Sequence, residues 1–276
     1  MEIFNSLFQK KGLSETERPE ININVNWKHL LDQKVNKEQE EEEENIQKEI
    51  TVTQLIRDKE IFLIDNLLSK EECQRIINTS NEVGFGKTNY PKHYRGNLRL
   101  IVNDNKLAEV LWERIVNFVP QTVIEDGSTW TSYGLNDCWR LAKYYSGDRF
   151  GAHVDAYFLK TINEKSMYTV NIYLNGDGDF VGGSTRFYQS VDRKSRKNGS
   201  DSKIEEARVL PSAGRCVIFR QPNAADYLHD GEEVTEGIKY LLRTDVMYRR
   251  NENENNEDEI KEKIQKLEDD DEEEEG

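Results

Sequence analysis

The sequence lacks the features that place a chain in a membrane or an oxidising compartment. No apolar run approaches the length of a membrane span, and Met1–Phe8 offers only a few apolar residues before Gln9-Lys10-Lys11, so no secretory signal is read. Cysteine is scarce: Cys73, Cys138 and Cys216 are the three in 276 residues, with no C-x-x-C spacing. We therefore expect free thiols, a reducing compartment (cytoplasmic or nuclear) and no membrane association. Asn198-Gly199-Ser200 fits a glycosylation triplet that a protein in that compartment would not use.

The middle of the chain also lacks net charge. Residues 51–250 hold 28 basic and 27 acidic side chains, leaving 10 basic and 26 acidic ones in the flanks, which carry essentially all of the −15. Runs such as Glu40–Glu44 and Asp269–Glu275 repel themselves and bury little, so residues 1–50 and 251–276 are expected to be acidic, disordered segments. A near-neutral middle argues against electrostatic binding of phosphates, and nucleic acid is not the expected partner. The basic cluster Arg193–Lys197 reads as part of an exposed insertion, or as a localisation or nucleic-acid patch.

Only four histidines occur, and two of them fall in suggestive places. His153 and Asp155 are two residues apart, so on an extended segment both side chains leave the same face of the backbone. His229 lies 76 residues beyond His153 and is followed at an offset of ten by Lys239. An isolated H-x-D is a weak signal, because a lone histidine is more often a satisfied core or surface group. Two histidines and one carboxylate on one side of an ion, however, leave its other positions open, as in non-haem iron(II) oxygenases. Such a site would be catalytic rather than structural.

The periodicity predicts two early helices and then a β-rich body. Ser69-Lys70-Glu71-Glu72 has capping-box spacing before Cys73, Ile76, Ile77 and Val83, and Lys106–Phe118 has apolar residues at helical intervals with Pro120 beyond. Phe62–Ile64 is a short strand. After Asp137 come short β-type runs at 139–145, 168–174, 185–188, 207–210, 216–219 and 239–248, separated by Gly, Asn, Asp and Pro clusters. The fold class is mainly β with flanking helices (α+β): a jelly roll whose mouth can hold a small ligand, with N-terminal support helices.

From about Phe62 to Arg250 the sequence resembles the 2-oxoglutarate- and iron(II)-dependent dioxygenases, in particular their prolyl 4-hydroxylase-like branch. Four ordered motifs carry the resemblance: Leu141–Asp155, the glycine-rich Phe180–Phe187, Leu210–Phe219, and His229 through Tyr248. It implies a double-stranded β-helix over residues 51–250, with His153, Asp155 and His229 as iron ligands. It also implies that Lys239 pairs with the distal carboxylate of 2-oxoglutarate and that Tyr144, nine residues before His153, donates a hydrogen bond to it. Arg243 is a competing anchor, since Lys239, Leu241 and Arg243 alternate onto one strand face, but about 13 Å of strand separates their origins. The offset favours Lys239, leaving Arg243 for substrate or for an ion pair such as one with Asp245.

The implied reaction consumes Fe(II)-bound 2-oxoglutarate and O2, releases succinate and CO2, and hydroxylates an unactivated carbon, with ascorbate supporting activity. A protein or peptide substrate, hydroxylated at a prolyl residue, is the leading reading. A small molecule, another residue type or a nucleobase is the alternative within the enzyme class, and a non-catalytic scaffold using its acidic flanks is the alternative outside it. The absence of a secretory signal separates the chain from collagen-type hydroxylases. The basic, aromatic loop 86–99 supplies the substrate-side candidates Tyr90, Tyr94, Arg95 and Arg99, with Arg243 beside them.

Overall fold

The computed structural model describes residues 14–31, 49–176, 178–189, 204–221 and 225–251. The Glu40–Glu44 run, the cluster Arg193–Lys197 and the acidic stretch beyond Asn251 lie outside the described residues. The architecture is mainly β with flanking helices, a double-stranded β-helix. Its large sheet runs Ile21–Asn24, Leu98–Asn103, Cys138–Tyr145, Val234–Arg250, Glu164–Tyr173, Cys216–Arg220, Ile61–Asp65, Thr51–Gln54. A four-stranded sheet of Glu205–Val209, Thr185–Tyr188, His229–Gly231 and Phe150–His153 supplies the other wall.

Alternation along the strands decides what each face meets. In Val234–Arg250, Tyr240 and Leu242 point to one core, whereas Lys239, Leu241 and Arg243 point to the cavity between the sheets. Tyr240 and Leu242 join Leu100, Val102, Trp139 and Leu141 in the larger core, on the helix side. The smaller core, with Tyr173, Phe187, Val217 and Phe219, lies on the cavity side. Full burial of one such side chain stabilises by about 1.5–3 kcal/mol, so these two layers hold the walls at fixed separation.

Both helices appear where the pattern places them. Lys70–Val83 starts on a complete capping box, with Ser69 Oγ accepting from Glu72 N at 3.1 Å and Glu72 Oε2 accepting from Ser69 N at 2.8 Å. Arg114 of the second helix then holds the same Glu72 carboxylate at 2.7 and 2.9 Å. That second helix, Asn105–Ile115, continues as a 3-10 turn at Val116–Phe118, and its first turn is capped by Asp104 accepting from Lys106 N and Leu107 N.

Two expectations need correction. Part of the segment assigned to a disordered amino-terminal flank is folded: Ile21–Asn24 pairs in parallel with Leu98–Asn103, and Trp27, Leu30 and Leu31 are buried. Four residue pairs in one strand pairing and these apolar anchors outweigh the acidic composition of the region, so the domain begins before residue 51. Arg99 belongs to a strand rather than to a loop, because Leu98, Leu100 and Val102 alternate into the core and Arg99 between them faces the cavity.

Candidate active site

The two histidines meet because their strands are neighbours. His153 ends Phe150–His153, His229 begins His229–Gly231, and the two are opposite each other in an antiparallel register. Directly paired residues of adjacent strands project to the same face. The backbone continues extended past His153, so Val154 turns out to solvent, 36 % exposed, and Asp155 turns in, 7 % exposed. One donor atom from each of His153, Asp155 and His229 can lie within 4.8 Å of the others. His153 Nε2 is 3.4 Å from Asp155 Oδ1, and His229 Nε2 is 3.8 Å from Asp155 Oδ2.

The surroundings prepare these groups for a metal. Nδ1 of His153 lies 2.8 Å from the Gly151 carbonyl, and Nδ1 of His229 lies 2.9 Å from that of Tyr227. The tautomer that donates there leaves the Nε2 lone pair directed at the cluster. Burial, more than any other cause, pushes the His229 pKa down to about 4, which keeps its ring neutral. Burial alone would raise the pKa of Asp155, but the Arg243 guanidinium at 3.2 Å and the two imidazoles hold its carboxyl well below the usual range. Thr169 Oγ1 donates to Asp155 Oδ2 at 2.8 Å, and Gln221 Nε2 backs Thr169 at 3.1 Å and reaches Asp245 at 2.7 Å.

Lys239 lines the same cavity, opposite Tyr144 in the strand register. Its Nζ donates to the Gly183 carbonyl at 2.6 Å and lies 5.2 and 5.4 Å from the ring centroids of Tyr144 and Tyr173. The residue is 2 % exposed, and among the described residues no carboxylate lies within ion-pair distance. Burial pushes its pKa down to about 8 and pushes that of the Tyr144 hydroxyl up. An unpaired buried ammonium is costly unless an anion meets it.

Residues 139–244 match the sequence profile of the 2OG-Fe(II) oxygenase superfamily. That stretch carries His153, Asp155, His229 and Lys239. The match supports a 2-oxoglutarate-dependent dioxygenase. Among similar solved structures, a viral collagen prolyl hydroxylase of Paramecium bursaria Chlorella virus-1 in complex with 2OG is 19% identical, over 70% of this chain and 97% of its own, with a TM-score of 0.45. A Trichoplax adhaerens prolyl hydroxylase in complex with a hypoxia inducible factor oxygen degradation domain peptide fragment is 15% identical, over 68% of this chain and 84% of its own, at 0.45. HygX of Streptomyces hygroscopicus, with nickel and 2-oxoglutarate bound, is 12% identical over 70% and 84%, at 0.48. No curated protein matches the sequence.

The superfamily implies Fe(II), 2-oxoglutarate and O2, and the oxygenase's own residues fit them. Two imidazoles and one carboxylate grouped on one side suit a non-haem iron(II) with open positions. A buried ammonium without a counter-ion suits one end of a dicarboxylate. The competing cation, Arg243, is engaged elsewhere: Asp155 lies at 3.2 Å and Asp245 at 3.5 Å. Both carboxylates keep its pKa raised against the cost of burial.

Among the substrate-side candidates, Arg95, Arg99 and Arg243 line the oxygenase's cavity. Tyr94 stands behind it, edge-on to Phe150 at 5.7 Å, and Tyr90 is half exposed beside Tyr94. Sequence reasoning missed Arg140 and Asn171, which also line the cavity, and the support from Thr169 and Gln221. Arg140 and Asn171 flank Arg243 on the two neighbouring strands, so alternation on already recognised strands was the signal available for them.

Proposed function

We propose that the chain hydroxylates a peptidyl side chain, with a prolyl residue as the target, using iron held by His153, Asp155 and His229. The observation that carries the reading is the conjunction of this ligand cluster with the unpaired ammonium of Lys239 in one cavity. Lys239 and the Tyr144 hydroxyl would hold the distal carboxylate of 2-oxoglutarate. When bound, iron and 2-oxoglutarate supply oxidative decarboxylation to succinate and CO2 and deliver one oxygen atom of O2 to carbon.

The chain's own residues supply position, charge and exclusion of water. Thr169 and Arg243 fix the orientation of Asp155, and the backbone carbonyls of Gly151 and Tyr227 fix the two rings. Phe150 stacks on His153 with centroids 3.7 Å apart and closes that side of the site to water. The prolyl assignment is supported by the motif resemblance of residues 141–155. Three free thiols, Cys73 and Cys216 buried and Cys138 partly so, support work in a reducing compartment, cytoplasmic or nuclear.

Succinate production tests the proposal: purified protein with iron(II), ascorbate and 2-oxoglutarate, with and without proline-containing peptides, beside His153→Ala. Succinate that rises with peptide and vanishes in the variant is expected, together with a peptide mass gain of one oxygen atom. Iron and 2-oxoglutarate binding with no response to any peptide would sink the peptidyl reading.

A further inference from the structure

Charge around the cavity is unevenly satisfied. Arg99 pairs with Glu20, Arg140 lies 3.3 Å from Asp245, and Arg243 is held by Asp155 and Asp245. Asp230 lies at the cavity wall but is turned to Arg186, which holds it through two bonds of 2.9 and 2.7 Å. Among the cavity's arginines, Arg95 is the exception. Its Nε donates to the Asn97 side chain at 3.0 Å, while among the described residues its two terminal nitrogens have no hydrogen-bond partner and no carboxylate within ion-pair distance.

Arg95 is nevertheless fixed in place. Its guanidinium lies over the Phe150 ring, 4.3 Å from the centroid, and 5.4 Å from that of Tyr90. Phe150 in turn stacks on His153 at 3.7 Å, so Arg95 and the candidate metal ligand touch one aromatic ring. Residue 95 also bridges to Phe150 through the backbone. Burial and the like charges of Arg99 and Arg243 lower its pKa, the direction expected of a cation without a counter-ion. A guanidinium held by aromatic stacking, with its paired N–H groups free, is preorganised for a carboxylate.

We propose that Arg95 receives an anionic group of the substrate, and that the preferred peptide carries Asp or Glu beside the hydroxylated residue. This deepens the peptidyl reading and rests on it. Arg95 is separated from the His153 ring by the Phe150 ring alone, and successive Cα atoms are about 3.8 Å apart, so the acidic side chain belongs one or two positions from the target. A polyphosphate backbone fits less well. It needs a continuous row of free cations, whereas the other arginines of this cavity already have carboxylate partners.

The test compares three proline-containing peptides that differ only in Glu, Gln or Lys next to the proline, on the full chain. Their KM is read from succinate formation, and their affinity for the iron-free protein from fluorescence anisotropy. One charge-assisted hydrogen-bonded pair predicts roughly tenfold tighter binding of the Glu peptide than of the Gln peptide. Arg95→Glu should reverse the order to favour Lys, and Arg95→Lys should keep it.

Equal affinity of the three peptides for the wild-type protein would overturn the proposal, even if all were hydroxylated and the peptidyl reading stood. Absence of turnover with an intact, Arg95-dependent Glu preference in anisotropy would instead indict the prolyl target and leave the subsite in place. Arg95-dependent binding of an oligothymidylate without any peptide preference would also overturn it.

Discussion

Lys239 Nζ is tied to the Gly183 carbonyl at 2.6 Å, and Gly183 is in turn compatible only with hydrogen at its α-carbon. Its φ is +69°, and an added Cβ would lie 2.8 Å from the Phe180 ring and 3.1 Å from Lys239 Cδ. The glycine-rich motif and the buried ammonium are thus one unit: the glycine gives the lysine both its seat and its sole hydrogen-bond acceptor among the described residues.

Substitutions in this unit should act on 2-oxoglutarate and not on iron. Lys239→Met is expected to raise the KM for 2-oxoglutarate by about 10- to 100-fold, the worth of a hydrogen bond to a charged group. Gly183→Ala, by displacing the lysine, should move in the same direction while iron affinity, read by anaerobic titration, stays within about twofold. If Arg243→Ala reproduced the Lys239→Met phenotype and Lys239→Met did not, the anchor would be Arg243.

The same lysine gives the enzyme a pH signature. Its pKa is pushed down to about 8 by burial, so the ammonium that favours the dicarboxylate is present below that pH and lost above it. The KM for 2-oxoglutarate should therefore be flat below about pH 8 and rise above it, approaching tenfold per unit. Bound dicarboxylate favours the charged form, so the break should move to higher pH in kcat at saturation. Lys239→Arg, charged throughout, should show a flat KM across the same range. A break that persists unchanged in Lys239→Arg would assign it to another group.

The grouping of His153, Asp155 and His229 was legible because strand geometry is local. An H-x-D on an extended segment places both side chains on one face, and the Lys239 to Arg243 alternation fixes which side chains enter the cavity. What stayed hidden depended on tertiary pairing. Ile21–Asn24 looks like part of an acidic flank until Leu98–Asn103 is beside it, and no sequence signal marks Thr169 as a partner of Asp155 or Gln221 as a partner of Thr169. Arg243 illustrates the same limit: its face was readable, but its engagement by Asp155, 88 positions earlier in the chain, was not.

Helix capping gives a prediction remote from the site. Glu72 serves both the capping box of Lys70–Val83 and the ion pair with Arg114, so the helices are joined through one carboxylate. Ser69→Ala should cost about 0.5–2 kcal/mol in denaturant unfolding. Glu72→Gln should cost more, because it also weakens the Arg114 contact. The KM for 2-oxoglutarate should not change in either variant, and a change would mean that the helices set the geometry of the cavity.

Thr169 provides the sharpest separation of metal binding from folding. It is fully buried, and its hydroxyl both donates to Asp155 Oδ2 and accepts from Gln221. Thr169→Val keeps the shape but removes the hydroxyl, so Asp155 loses the bond that orients it while Arg243 still faces the same oxygen. Loss of such an outer partner typically weakens metal affinity by about 10- to 100-fold. Thr169→Ser, which restores the donor, should recover most of that loss. Iron(II) affinity that is equal in Thr169→Val and the parent would show that Arg243 alone orients the carboxylate, and Arg243→Ala would then carry the defect.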